Sequence, residues 1–133
     1  MSNLTITNVS LGSVILLNGQ FNDDQITFGG AGTLKAGTIL ARNSSTLKLV
    51  PFVKGGSSNG NGIPKAVLTY AVTATGAGNV AIRDMVSGSV RQERLIIDAD
   101  GDASNVDAAV LDQLRDYSLI AIEVKELYSF DNQ

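Results

Sequence analysis

The sequence predicts a mainly β fold with one α-helix, an α+β chain whose body is a β-meander or barrel preceded by an extended N-terminal arm. Short apolar segments rich in Val, Ile, Leu and Thr recur between turns containing Gly, Asn and Ser from residue 14 to 97, which is the punctuation of strands rather than helices. One stretch alone has a helical period: Val106, Ala109, Val110 and Leu114 stand at spacings of three and four, on one face of a helix. The length of 133 residues, with 44% apolar and 17% charged, fits one compact domain with a real core. So uncharged a surface also argues that a partner covers part of it.

In the arm, Leu4 and Ile6 share one strand phase while Val9 and Leu11 take the other, an extended segment with a slip near Asn8. Such a segment cannot bury both faces or satisfy its own backbone, so it needs a sheet edge, in its own body or in another chain. Next, residues 14–17 and 25–28 flank Asn18-Gly19, the preferred pair for a tight hairpin turn. Gly29-Gly30-Ala31-Gly32 then reads as a hinge, because glycine adopts positive φ freely. This divides the chain into an arm and hairpin over 1–32 and a β-rich body over 33–133.

In the body, residues 38–41 and 47–52 read as a hairpin joined through Arg42-Asn43-Ser44-Ser45, whose polar side chains can bond to their own backbone. Residues 54–62, rich in Gly, Ser and Asn, are expected to form an exposed, mobile loop. Residues 66–73 read as a strand, 75–79 as a turn, and 80–86 as a further strand. Ser87-Gly88-Ser89 is then expected to turn into another strand over 90–97. The helix is placed at about 105–117, with Ser104 as N-cap and Asp107 as its capping-box partner. A last strand follows over 119–128, where Ile120, Ile122 and Val124 alternate with Ala121, Glu123 and Lys125, giving one buried and one wetter face.

Composition excludes much chemistry. The chain has no cysteine and no histidine, so disulfides, thiolate sites, Ser-His and Cys-His nucleophiles and the commonest zinc ligand are absent. A net charge of -3, with ten Lys and Arg scattered singly, argues against nucleic acid as a partner. The first residues lack a basic, apolar signal pattern, and the run 14–17 is far below the ~20 residues that span a bilayer. A soluble protein without a membrane partner is expected.

Asp98, Asp100 and Asp102 alternate as in the opening of a calcium loop. Counted from Asp98, however, the sixth and twelfth positions hold Ala103 and Ala109 where an EF-hand needs Gly and Glu. The three make a calcium candidate that departs from the pattern, against the plainer reading of an acidic loop ahead of a helix N-terminus. The Gly-rich turns lack the context of a phosphate loop. A hydrolase using carboxylates alone would need two of Asp84, Glu93, Asp98, Asp100 and Asp102 to converge in a pocket. The aromatic residues, Phe21, Phe28, Phe52, Tyr70, Tyr117, Tyr128 and Phe130, are not interleaved with basic ones, so they read as core or interface packing rather than a base-stacking platform.

Taken in order, Thr33-Leu34-Lys35-Ala36-Gly37-Thr38-Ile39-Leu40-Ala41, Leu47-Lys48-Leu49-Val50-Pro51-Phe52, Ala66-Val67-Leu68, Val86-Ser87-Gly88-Ser89-Val90-Arg91 and Leu111-Asp112-Gln113-Leu114-Arg115-Asp116-Tyr117-Ser118-Leu119-Ile120-Ala121-Ile122 resemble the head decoration proteins of tailed bacteriophages, the lambda type of capsid-stabilising protein. The likeness covers about residues 33–124 and departs at Ala66-Val67-Leu68, where family members often have Gly-Ile-Leu. It implies a β-tulip body carrying a helix, no enzymatic activity and no cofactor. It also implies a homotrimer on the exterior of the virion, made in the host cytoplasm and seated at three-fold and quasi-three-fold sites of the expanded icosahedral capsid. There it would cement the shell against the pressure of packaged DNA. The N-terminal arm of such proteins contacts the major capsid protein, commonly by adding a strand; here that role would fall to Leu4, Thr5, Ile6, Thr7, Val9 and Leu11. The alternative is a β-rich module of a phage tail or bacterial surface that binds carbohydrate through grouped aromatic rings.

Overall fold

A computed structural model of the chain describes residues 14–123. The arm residues Leu4 to Leu11 and the end of the expected last strand lie outside them. Among the described residues the regular structure is mostly strand, with a single α-helix. The strands are β1 (Ile15–Phe28), β2 (Gly32–Leu34), β3 (Ile39–Arg42), β4 (Leu49–Pro51), β5 (Pro64–Val67), β6 (Val72–Ala74), β7 (Gly78–Arg91) and β8 (Leu119–Ile122), with the helix α1 (Ala108–Asp116) before β8. Strands β1, β4, β3, β5 and β7 pair in that order, and β7 pairs back to β1, so five strands close into a barrel. β8 adds to β7 in parallel, and β2 and β6 form a separate two-stranded ribbon.

Closure is uneven around the ring. β1 and β7 are antiparallel along their whole length, from Ile15 opposite Val90 to Phe28 opposite Gly78, whereas β1 meets β4 only at Ile26 and Leu49, in parallel. A small barrel must fill its interior with side chains. Every wall strand contributes one here: Ile26, Leu40, Leu49, Ala66 and Ile82 are buried in one cluster, which Phe28, Leu34, Val72 and Ala74 close at one end. A second cluster lies outside the wall, where Val110 and Leu114 of α1 and Leu119 of β8 cover Ile39, Ala41, Val67 and Met85. Ile39 to Ala41 of β3 and Ala66-Val67 of β5 are thus buried on both faces, and these stretches run apolar without alternation for that reason.

Several expected turns take another form. Residues 14–28 do not fold into a hairpin; Asn18-Gly19 sits inside β1, with Asn18 at φ 55° and the register with β7 shifting between Leu17 and Gln20. Ser87-Gly88-Ser89 is likewise no turn but the middle of β7, with Gly88 at φ 120°. The expected strand over 66–73 is split into β5 and β6, and beyond Arg91 the chain makes a 3-10 turn, Gln92–Arg94, instead of a long strand. The β3–β4 hairpin forms as expected, Ala41 opposite Val50. Its turn is held by Asn43 Oδ1, which accepts the N–H groups of Ser45 at 2.8 Å and Thr46 at 3.0 Å, an Asx turn.

The helix starts later than the periodicity implies. Asp107, not Ser104, is its N-cap, with Oδ1 accepting the Val110 N–H at 3.2 Å. Val106 precedes the helix, and Ala109, expected on the buried face, is exposed. The 54–62 loop is exposed along most of its length yet held by its own backbone: Val53 N–H donates to Asn61 O at 2.9 Å and Ser44 N–H to Asn59 O at 2.9 Å.

Candidate functional site

The described residues begin where the expected arm would join the body. The first described residue, Val14, is buried, and its carbonyl accepts the Arg91 N–H at 2.8 Å. Ile15 then pairs with Val90, and on the opposite edge of β7 the same Val90 pairs with Ala121 of β8. Since β1 runs antiparallel and β8 parallel to β7, the start of β1 and the end of β8 meet at one rim of the barrel.

This rim carries exposed apolar surface. In β8 only Leu119 is fully buried, while Ile120 is 47% and Ile122 41% exposed. The burial phase is therefore opposite to the one with Ile120 and Ile122 inward. The register Gly88 opposite Leu119 decides it, by turning Leu119 onto Val110 and Leu114 of the outer cluster. Tyr117, at the end of α1, is 38% exposed, and the Lys65 ammonium stands 4.0 Å from its ring centroid, a cation-π contact.

Of the acidic candidates only Glu93 and Asp102 come to one hollow. Asp98, Asp100 and Asp102 are all exposed, and local partners occupy two of them. Asp102 Oδ1 accepts the Ser104 N–H at 2.9 Å and Asp100 Oδ2 accepts from Asn105 Nδ2 at 2.9 Å. Hydrogen bonds from Ser104 hold the Asp102 carboxyl below its ordinary range, with a smaller contribution from the Lys35 charge. Among the described residues no group of three or more acidic side chains is placed to hold a metal ion. Glu93 and Asp102 both line a hollow of about 210 Å³, which they share with Lys35 and Arg94. Asp84 is elsewhere, sealed inside the barrel wall.

The described aromatic rings are dispersed as well; Tyr128 and Phe130 lie outside the described residues. Phe28 and Phe52 are buried in different clusters. Tyr70 accepts the Arg83 N–H at its hydroxyl at 2.8 Å, the Arg83 guanidinium lies 6.0 Å from the Phe21 ring, and Tyr117 is beside the helix. A stacked sugar platform would need several such faces together. No helix among the described residues is long and apolar enough to cross a membrane.

The expected arm, Leu4 to Leu11, lies outside the described residues; the rim went unread in the sequence because the apolar pattern of β8 fits either phase and only pairing with β7 selects one. Compared with known families, residues 6–119 match the family model of bacteriophage lambda head decoration protein D. No curated protein matches the chain.

Proposed function

Because the chain belongs to the family of bacteriophage lambda head decoration protein D, a structural component of the phage capsid, we propose that it acts as a homotrimeric cementing protein on the outside of the expanded shell. It would sit at three-fold and quasi-three-fold positions and resist the pressure of packaged DNA. The observation that carries this reading is the extent of the match, residues 6–119, which takes in both the β-barrel and the arm from Ile6 onward.

The mechanism is physical. Residues 1–13 lead into the rim at Val14, and the arm side chains Leu4, Ile6, Val9 and Leu11, with Thr5 and Thr7 between them, add as a strand to an edge of the major capsid protein. Burying four aliphatic side chains yields about 1.5–3 kcal/mol each, while ordering each arm residue costs about 1–2 kcal/mol in backbone entropy. One arm is therefore close to break-even. Three arms on one trimer engage together, the second and third at effective concentrations on the order of millimolar, so trimerisation is what makes a marginal strand addition into a firm clamp.

Deleting residues 1–11 tests this. Light scattering should still report a folded trimer, and co-sedimentation with expanded capsids should be lost. Full occupancy of capsids by the truncated protein would sink the arm's role, and a monomeric full-length chain would refute the clamp.

A further inference from the structure

The barrel interior is apolar at the Phe28 end and charged at the other. On β7, Asp84 follows Ile82 on the inward side and is 0% exposed, and neither of its carboxylate oxygens has a hydrogen-bond partner among the described residues. Beside it, Asp24 of β1 is gripped by Arg42 of β3 in two parallel bonds, Nη1 to Oδ1 and Nη2 to Oδ2, each 3.2 Å. Arg42 Nη1 also donates to the Leu47 carbonyl at 2.8 Å.

These three residues bracket the thin side of the ring. Arg42 pairs with Leu49, and Leu49 makes the single parallel bridge to Ile26 that joins β4 to β1. The Arg42 to Asp24 fork is thus a side-chain strap across a seam with little backbone pairing. One guanidinium can neutralise one carboxylate, and two are present. If Asp84 is charged, the seam holds an uncompensated negative charge away from water, which is costly; if it is protonated, its hydroxyl can donate to Asp24 and satisfy both groups.

We propose that Asp84, Asp24 and Arg42 form a proton-controlled latch on the β1–β4 seam, closed while the two carboxyl groups share a proton and loosened when both are ionised.

Burial first, and next the adjacent Asp24, as acceptor for the protonated form and as a like charge, push the Asp84 carboxyl from 3.8 up to about 7; its own backbone N–H and Arg42 oppose them. Of the other ionisable groups on the packed elements, Arg91 is buried at the far end of β7, where its backbone N–H donates to the Val14 carbonyl, and the rest are engaged elsewhere. Asp23 of β1 faces outward to Arg83 at 3.9 Å, Lys65 of β5 lies over Tyr117, and the Tyr70 hydroxyl meets the Arg83 N–H. Strands β4, β6 and β8 carry no ionisable side chain. The sign follows from linkage: the folded chain keeps a proton that the unfolded chain releases at 3.8, so the stabilisation is complete below that pH. It falls as pH rises toward about 7, and above that it is gone.

Amide hydrogen exchange on the full-length protein reads the latch directly. Between pH 6 and 8, protection factors for Ile26, Arg42 and Leu49 should fall about tenfold, while those of Leu119 and Ala121, on the far side of β7, stay constant. In Asp84→Asn the seam amides should show equal protection at both pH values, because an amide donates to Asp24 without titrating. The latch is overturned if seam protection in the unaltered chain does not change over this range, if the Asp84 carboxyl carbon titrates in the ordinary aspartate range, or if Asp84→Asn keeps the pH dependence. The first two readings need no variant to fold.

Discussion

Asn18 and Gly88 face each other across β1 and β7: a Cβ built on Gly88 would stand 2.6 Å from the Asn18 carbonyl oxygen and 2.7 Å from Met85 Cε. Leu17 pairs with Ser89 and Gln20 with Ser87, so Asn18 and Gly19 together oppose Gly88, the two-against-one count of a β-bulge. Gly88 at φ 120° is also in a region that a residue with a side chain enters only under strain. Gly88→Ala should lower stability by about 2–4 kcal/mol, measured by urea unfolding, whereas Gly76→Ala, with nothing near its added Cβ, should change it little.

Phe52 is 1% exposed and sits with Ile39, Val67 and Leu114 in the outer cluster. Truncation leaves a cavity between helix and barrel wall, so Phe52→Ala should cost about 3–5 kcal/mol. The denaturant midpoint checks this, with an unchanged m-value expected.

Lys54 Nζ lies 2.6 Å from Asp107 Oδ2, tying the Gly- and Ser-rich loop to the N-cap of α1. The Lys54 hydrogen bond, with the Val110 N–H, holds the Asp107 carboxyl below its ordinary 3.8. The depressed value means that its contribution is present above pH 3.8 and lost as pH falls through the lower folded value. Both side chains are largely in water, so the effect is small and screened by salt. Asp107→Asn should make acid unfolding less steep below pH 4, about where free aspartate titrates, and Lys54→Met should weaken the same dependence, as circular dichroism at α1's helical band would record.

Ile120→Ser with Ile122→Ser alters exposed side chains, and exposed substitutions usually shift stability by no more than about 0.5 kcal/mol. The thermal midpoint should hold while occupancy of expanded capsids drops, because the rim loses apolar surface beside the arm's entry point. Unchanged occupancy in a binding isotherm would separate the rim from the capsid contact.

The sequence reveals local features better than distant ones. The Asx turn at Asn43 and the helix buried through Val110 and Leu114 follow from neighbouring residues. Asn18-Gly19 and Ser87-Gly88-Ser89 each carry a true signal of positive φ, but a chain read locally turns each into a hairpin, when they are the two sides of one bulge between strands about seventy residues apart. Polar Gln20, Asn22 and Asp23 read as loop for the same reason: their strand character comes from pairing with β7, not from their own propensity. The phase of β8 and the meeting of Asp24, Arg42 and Asp84 exist only once distant strands are joined.

The long β1–β7 ribbon has a mechanical consequence. In the proposed cementing role, tension that entered through residues before Val14 and ran along β1 would load the register from Ile15 to Phe28 in shear, so its bonds would have to fail together. The same pull directed across the strand would unzip them singly, starting at Val14. A barrel hung by the end of one of its two 14-residue strands would be strong along that strand and weak across it, and in the proposed role the direction of pull at Val14 would govern how much force one copy can withstand.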